Sequence, residues 1–175
     1  MKKGILTLLS ALVLFSCNRT GNDNAYRQFI FTNEYRVPGS PTFVYDHFTG
    51  DISGWWDHSF SEKPFRLFIE ARPGGGFYEY FDSTGNGVLH ATVIAADRGR
   101  LLRLDGPLGL AGKALNLVCT MTFSEAAPDT TKLVLEVHGS GEIGEGIPEM
   151  VEQVWNHFVE ERFIPYATEK HLSVN

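Results

Sequence analysis

The chain has 175 residues, with 21 Asp and Glu against 15 Lys and Arg, so its formal net charge is −6. An acidic chain without a basic cluster is a poor partner for nucleic acid, because phosphates attract positive surfaces. We therefore expect no nucleic-acid partner, and the length predicts one domain with a sizeable core.

The N-terminal segment predicts export from the cytoplasm. Lys2 and Lys3 precede an apolar run over residues 4–15. As a helix this run would extend about 18 Å, well short of the ~30 Å hydrocarbon core of a membrane. A basic flank, a short apolar run and a small residue are typical of a signal peptide rather than of a membrane span. We expect residues 1–16 to be that signal.

The end of this segment, Leu14-Phe15-Ser16-Cys17, resembles the lipobox of bacterial lipoproteins, although Phe15 is bulkier than the usual residue. The resemblance implies a diacylglycerol on the Cys17 sulfur and cleavage before Cys17. An ordinary cleaved signal or an uncleaved anchor is the alternative. Residues 17–25 are polar and predict a flexible tether. We therefore expect a lipoprotein anchored in the bacterial cell envelope, on the periplasmic face of a membrane.

The domain after the tether, residues 26–172, begins with an aromatic-rich segment that predicts a strand over 26–36. Ser40 as N-cap and Pro41 at the first helical position predict a short helix over 41–48. Residues 51–57 predict a second short helix or a turn.

A series of strands follows, separated by turn residues that include the hairpin signal Asn86-Gly87. In the last strand Leu133, Leu135 and Val137 share one face and polar residues share the other, which indicates a half-buried antiparallel sheet. The predicted strands are 65–72, 77–82, 88–96, 101–105, 115–124 and 132–138.

The final segment predicts a long amphipathic helix that begins near Pro148. Val151, Trp155 and Phe158 fall on one face at helical spacing. Pro165 lacks a backbone N–H and clashes with the carbonyl of Glu161, so we expect the helix to kink or fray there. This helix is the obvious cover for the apolar face of the sheet, which makes the fold class α+β.

This order of elements is similar to that of the SRPBCC superfamily, the helix-grip fold of birch pollen allergen and START lipid-binding domains. Within it the chain resembles the group named after the activator of the heat-shock protein 90 ATPase. Over residues 27–170, the likeness rests on Trp55-Trp56, Arg72-Pro73-Gly74-Gly75-Gly76, Thr130-Thr131-Lys132-Leu133 and Trp155.

The resemblance implies a curved antiparallel sheet of about seven strands around a long C-terminal helix, two short helices after the first strand, and a cavity between sheet and helix. The superfamily has no universal catalytic motif, so the resemblance gives little information about function. Because the predicted signal directs this chain out of the cytoplasm, we do not expect heat-shock protein 90 as a partner.

The candidate ligand cavity follows from alternation in the strands and spacing in the helix. A solid core without a cavity is the alternative. The expected lining is Leu67, Ile69, Val93, Leu117, Met121 and Leu135 from the sheet, Val151, Trp155 and Phe158 from the helix, and Trp56, Tyr80 and His90 as polar-tipped groups.

The histidines His58, His90, His138 and His157 lie on separate predicted elements, and none has the spacing of a ligand pair on one helix. We therefore expect no metal. The glycines of 139–144 match the GxGxxG pattern of dinucleotide-binding proteins. No predicted βαβ unit accompanies them, so we expect no cofactor.

Three functions remain open. The first is a membrane-tethered binding protein for a hydrophobic small molecule or lipid. The second is a polyketide-cyclase-like enzyme, in which His90 or His58 pairs with Asp57 or Glu70 for acid–base chemistry. The third is an envelope interaction protein without a ligand. A buried acid–base pair in the cavity would favour the second function, and a filled core with a large exposed apolar patch would favour the third.

The anchor is directly testable. Cys17→Ala removes the sulfur that would carry the lipid, so we expect an unprocessed precursor that incorporates no fatty-acid probe during metabolic labelling. Equal labelling of the wild type and the variant would contradict the lipobox assignment.

Overall fold

The computed structural model describes residues 27–173 as one antiparallel sheet that curves against a long C-terminal helix. The predicted signal, the lipobox with Cys17 and the tether lie outside the described residues. The strands are β1 (Arg27–Pro38), β2 (Gly50–Asp51), β3 (Arg66–Ile69), β4 (Gly76–Tyr80), β5 (Gly87–Asp97), β6 (Leu101–Gly106), β7 (Leu115–Ala127) and β8 (Thr130–Gly141).

The sheet order is β1-β8-β7-β6-β5-β4-β3-β2, so each strand pairs with its sequence neighbour except that β1 lies beside β8. The predicted α+β helix-grip architecture is thereby confirmed. In β8 the side chains of Leu133, Leu135 and Val137 are fully buried, as their alternation predicted.

One short helix, α1 (Pro41–Phe48), follows β1, and the predicted start is confirmed because Ser40 Oγ accepts the N–H of Phe43 at 3.3 Å. Of the two alternatives predicted for residues 51–57, a second short helix or a turn, the turn is what forms, so the expectation of two short helices after β1 was wrong. There the chain forms β2 and then a turn in which Asp51 Oδ1 accepts the N–H of Ser53 at 3.1 Å. Such Asx turns compete with helix formation, and β2 is the strand that raises the number to eight.

The C-terminal helix consists of α2 (Ile147–Asn156), a π-helical segment (His157–Phe163) and α3 (Ile164–Leu172). It continues past Pro165 instead of fraying. The N–H of Ile164 bonds to the carbonyl of Val159, five residues back. This wider turn places Pro165 in the first turn of α3, where a missing N–H costs little.

The core lies between the sheet and this helix. Val151, Trp155 and Phe158 are buried against it, and the Tyr35 hydroxyl donates to Asn156 Oδ1 at 2.6 Å, which ties the helix to β1. None of the helices within residues 27–173 combines the length and the hydropathy that a membrane span requires.

Two features of the sequence have structural explanations. Cys119 is fully buried, and burial raises the pKa of its thiol to about 12. Because the thiolate is the nucleophilic form, this side chain contributes to core packing and not to catalysis. Gly139 and Gly141 belong to β8. A Cβ on Gly139 would meet the ring of Phe29 at 2.1 Å, and one on Gly141 would meet the carbonyl oxygen of Ala114 at 2.3 Å. At Gly141 this backbone contact and a φ of +119° both favour glycine, whereas at Gly139 only the movable Phe29 ring is in the way.

Candidate functional site

A cavity of about 300 Å³ lies between the sheet and the C-terminal helix. Five parts of the chain enclose it: the helix, the loop between β2 and β3, strand β5, strand β7, and the turn after β6. Phe60 and Met150 are partly exposed and mark its mouth. The lining residues are Met150, Val151, Val154, Trp155 and Phe158; Trp56, His58, Ser59 and Phe60; His90 and Leu117; and Leu108, Gly109 and Leu110.

The structure brings six of the predicted lining residues to this cavity: Trp56, His90, Leu117, Val151, Trp155 and Phe158. Five others are buried in the core but do not line it: Leu67, Ile69, Val93, Met121 and Leu135. They occupy the predicted face of the sheet. Bulky aromatic side chains fill much of the remaining interior, where Phe48, Trp55 and Phe163 pack with ring centroids 4.9–5.1 Å apart.

Tyr80 does not reach the cavity. In β4 the side chains of Phe77 and Glu79 are buried, whereas those of Tyr78 and Tyr80 lie on the opposite face and stack on each other at 5.5 Å. Alternation in a strand allows only one of these two sets to face inward. The inward pair, Phe77 and Glu79, includes a carboxylate, and alternation alone would have favoured burying the two tyrosines instead.

Trp56 forms one wall of the cavity. Its ring stacks on Phe158 at 3.8 Å and meets Phe77 edge-on at 4.8 Å. The indole N–H donates to the backbone carbonyl of His58 at 2.7 Å. The side chain therefore joins the loop to the helix through its ring and stiffens the loop itself through its nitrogen.

His90 is directed inward by a β-bulge. Phe77 pairs with Ala91 and Tyr78 pairs with Leu89, so His90 is the extra residue of β5. The bulge allows the consecutive residues His90 and Ala91 both to be buried, which regular alternation forbids.

Glu79, fully buried, is the partner of His90. Its Oε2 lies 3.0 Å from His90 Nε2 and accepts the backbone N–H of Phe60 at 2.9 Å, while Oε1 accepts that of Ser61 at 2.7 Å. A carboxylate only accepts hydrogen bonds, so this network assigns the hydrogen of the pair to His90 Nε2. Among residues 27–173, nothing hydrogen-bonds to the other ring nitrogen, Nδ1. The His90 ring lies near Phe60 and Phe77, with centroids at 5.5 and 4.9 Å.

The sequence prediction had paired His90 or His58 with Asp57 or Glu70. His58 does lie 2.9 Å from Asp57, but Glu79, the partner of His90, was missed. Glu70 instead binds Arg72, with Nε and Oε1 2.8 Å apart. The available signal was Phe77, because an inward Phe77 requires an inward Glu79 two residues later.

A second polar cluster lies at the mouth. Asp57 Oδ1 is 2.9 Å from His58 Nδ1, and Asp57 Oδ2 is 2.9 Å from His157 Nε2 and 3.1 Å from Arg162 Nε. Glu161 Oε2 lies 2.9 Å from His157 Nδ1. The structure thus joins His58 and His157, which the sequence had left scattered.

Opposite effects act on the titration of this cluster. Burial alone would raise the pKa of Asp57, but the hydrogen bonds with His58 and His157 and the charge of Arg162 lower it below its usual range. The hydrogen bonds to Asp57 and Glu161 raise the pKa of His157. The cluster therefore favours a charged bridge between the loop and the helix.

The importance of the buried carboxylate can be measured. Glu79→Ala leaves two backbone N–H groups and His90 Nε2 without an acceptor, so we expect the free energy of unfolding to fall by about 3 kcal/mol in denaturant titrations. The matched control is Glu136→Ala, which breaks an exposed Glu–His pair at 2.9 Å and should cost about 0.5 kcal/mol. Equal losses in the two variants would contradict the assigned role.

Comparisons with known proteins give information about the fold only. No protein-family model and no curated protein matches the chain. Among solved structures, the chain is similar to an uncharacterized protein from Rhizobium leguminosarum (15% identity, TM-score 0.63, covering 83% of this chain and 97% of that one). It is also similar to the Mll3558 protein from Rhizobium loti (19% identity, TM-score 0.58, covering 78% of this chain and 95% of that one). A third similar structure is CalU16 from Micromonospora echinospora (14% identity, TM-score 0.52, covering 81% of this chain and 83% of that one). These likenesses indicate a shared bacterial α+β fold.

Proposed function

We propose that this chain is an SRPBCC-type protein that binds a small hydrophobic molecule in the cavity between the sheet and the C-terminal helix. The observation that carries the proposal is a space of about 300 Å³ walled largely by apolar side chains, with the buried imidazole of His90 among them. A concave apolar site with a few polar groups is the usual form of a small-molecule site.

The size of the cavity limits the ligand. A space of about 300 Å³ equals the volume of about ten water molecules, which suits a compact molecule better than a whole lipid. Burying ~200 Å² of apolar ligand surface contributes about 5 kcal/mol before the costs of association. Micromolar binding corresponds to about 8 kcal/mol, so a polar contact is also needed.

His90 is the group that can supply this contact. Glu79 occupies its Nε2, which leaves Nδ1 as a hydrogen-bond acceptor on a residue of the cavity wall. The ligand class that fits is therefore a small, mostly apolar molecule, such as a ring compound, with one hydroxyl or N–H donor.

The proposed setting is the bacterial cell envelope, with the domain tethered through a lipid on Cys17. Support comes from the resemblance of Leu14-Phe15-Ser16-Cys17 to a lipobox. Each buried CH₂ contributes ~0.8 kcal/mol, so several acyl chains on one residue would hold the protein at a membrane surface. From there the cavity could collect apolar molecules that partition between membrane and water.

Filling the cavity should abolish binding. The uncharged dye N-phenyl-1-naphthylamine should fluoresce with the wild-type protein, and Leu117→Trp should weaken that binding at least about tenfold, because the larger ring occupies the cavity floor. Val154→Trp does the same from the helix, in case Leu117→Trp fails to fold. Ile94→Trp is the matched control, because Ile94 is exposed and does not line the cavity.

Circular dichroism and thermal melting would establish that each variant is folded. If the wild-type protein does not bind the dye, or if the folded Leu117→Trp and Val154→Trp variants bind it as Ile94→Trp does, ligand binding in this cavity is refuted. An interaction protein without a ligand would then be the better proposal.

A second candidate function, acid–base catalysis on the bound molecule, is favoured by one specific observation, the buried Glu79–His90 pair. A carboxylate that orients an imidazole is a common arrangement for a general base. His90 Nδ1 would remove a proton from a carbon next to a carbonyl and return it elsewhere, with Glu79 stabilising the imidazolium.

This function predicts an exchange reaction. In D₂O the wild-type protein should speed deuterium incorporation into the methyl group of a small aryl methyl ketone, as measured by mass spectrometry. His90→Phe retains the ring shape but has no basic nitrogen, so the rate should fall to that of buffer. Equal exchange with wild type, His90→Phe and buffer would leave the protein a binder only.

A further inference from the structure

We propose that Asp57, His58 and His157 bind one divalent transition-metal ion at the mouth of the cavity. One ligand atom from each of the three residues lies within 4.8 Å of the other two, and His58 Nδ1 and His157 Nε2 lie 2.9 and 3.1 Å from Asp57 Oδ1. Ligand atoms about 2.0–2.1 Å from a tetrahedral zinc ion are about 3.3 Å apart. Small side-chain rotations would therefore convert the present hydrogen-bonded cluster into a coordination shell.

The neighbours of the cluster already orient its ligand atoms. Glu161 Oε2 lies 2.9 Å from His157 Nδ1, so the other nitrogen, Nε2, is left to face Asp57. Metal-binding histidines usually have such a carboxylate or carbonyl on the nitrogen that does not bind the metal. Arg162 Nε holds Asp57 Oδ2 at 3.1 Å, which leaves Oδ1 as the oxygen for the ion.

The backbone positions of the ligands are also fixed. Trp56, next to Asp57, stacks on Phe158, next to His157, at 3.8 Å, and the Trp56 indole donates to the carbonyl of His58 at 2.7 Å. One aromatic contact therefore holds the two halves of the site together. His157 also opens the π-helical segment, a feature that is frequent at functional sites.

The donor set indicates the class of ion. Two imidazoles and one carboxylate suit Zn²⁺ and its first-row neighbours, whereas Mg²⁺ and Ca²⁺ prefer oxygen ligands alone. Three protein ligands leave at least one coordination position for water or another small ligand. Because His58 also lines the cavity, an ion here would lie beside the path into it.

The experiment uses the chelator-treated, tag-free protein, which is dialysed against Zn²⁺ and analysed for bound metal. We expect one tightly held ion per chain and at least a tenfold loss of affinity in His157→Gln and in Asp57→Asn. His138→Gln is the matched control. His138 forms a similar His–carboxylate pair with Glu136 at 2.9 Å but belongs to no three-ligand cluster among residues 27–173.

Co²⁺ gives a readout that a merely structural role would not change. Visible absorption bands of four- or five-coordinate Co²⁺ should appear with the wild type and with His138→Gln, and should be absent with His157→Gln. Melting curves without metal establish that the variants are folded. The proposal is overturned if Zn²⁺ does not bind stoichiometrically, or if His157→Gln and Asp57→Asn bind it as well as His138→Gln does.

Discussion

The candidate site depends on the three hydrogen bonds that Glu79 accepts inside the protein. Burying a carboxylate costs several kcal/mol, and good hydrogen-bond geometry must offset that cost. Here the backbone N–H groups of Phe60 and Ser61 and the imidazole of His90 provide it. These bonds attach the long β2–β3 loop to β4 and β5, and the same loop supplies much of the cavity wall. Without this attachment, Phe60 would have no fixed position at the mouth.

The shape of the cavity follows from the same constraint. An apolar space persists only where its walls cannot move inward to fill it. On one side Trp56 and Phe158 stack face to face, and rigid rings of this size have few alternative rotamers. On the other side the bulge at His90 and the bonds of Glu79 hold the backbone. Two sides of the wall are therefore held in place, which helps to keep about 300 Å³ of space between them.

The fold could be predicted from the sequence because most of its elements produce local patterns, such as helix caps and alternation of apolar residues in strands. Ser40 and Pro41 predicted α1, and the alternation of Leu133 and Leu135 predicted the inner face of β8. Alternation gives the face of a strand but not the depth along it, so buried core residues such as Met121 were predicted to line the cavity. His90 lines the cavity as expected, but the bulge that turns it inward breaks the period of two and could not be read from alternation. Strand β2 was missed because it has only two residues, too few to show any period.

The polar part of the site was harder to predict, for a different reason. Asp57 and His157 meet across 100 positions of sequence, and no local spacing encodes such a contact. What joins them is the stacking of their neighbours, Trp56 and Phe158. The apolar wall of the cavity and the polar cluster at its mouth consequently share one short stretch of chain. Trp56 belongs to the wall, Asp57 belongs to the cluster, and His58 belongs to both. Any displacement of this stretch would therefore change the wall and the Asp57 cluster together.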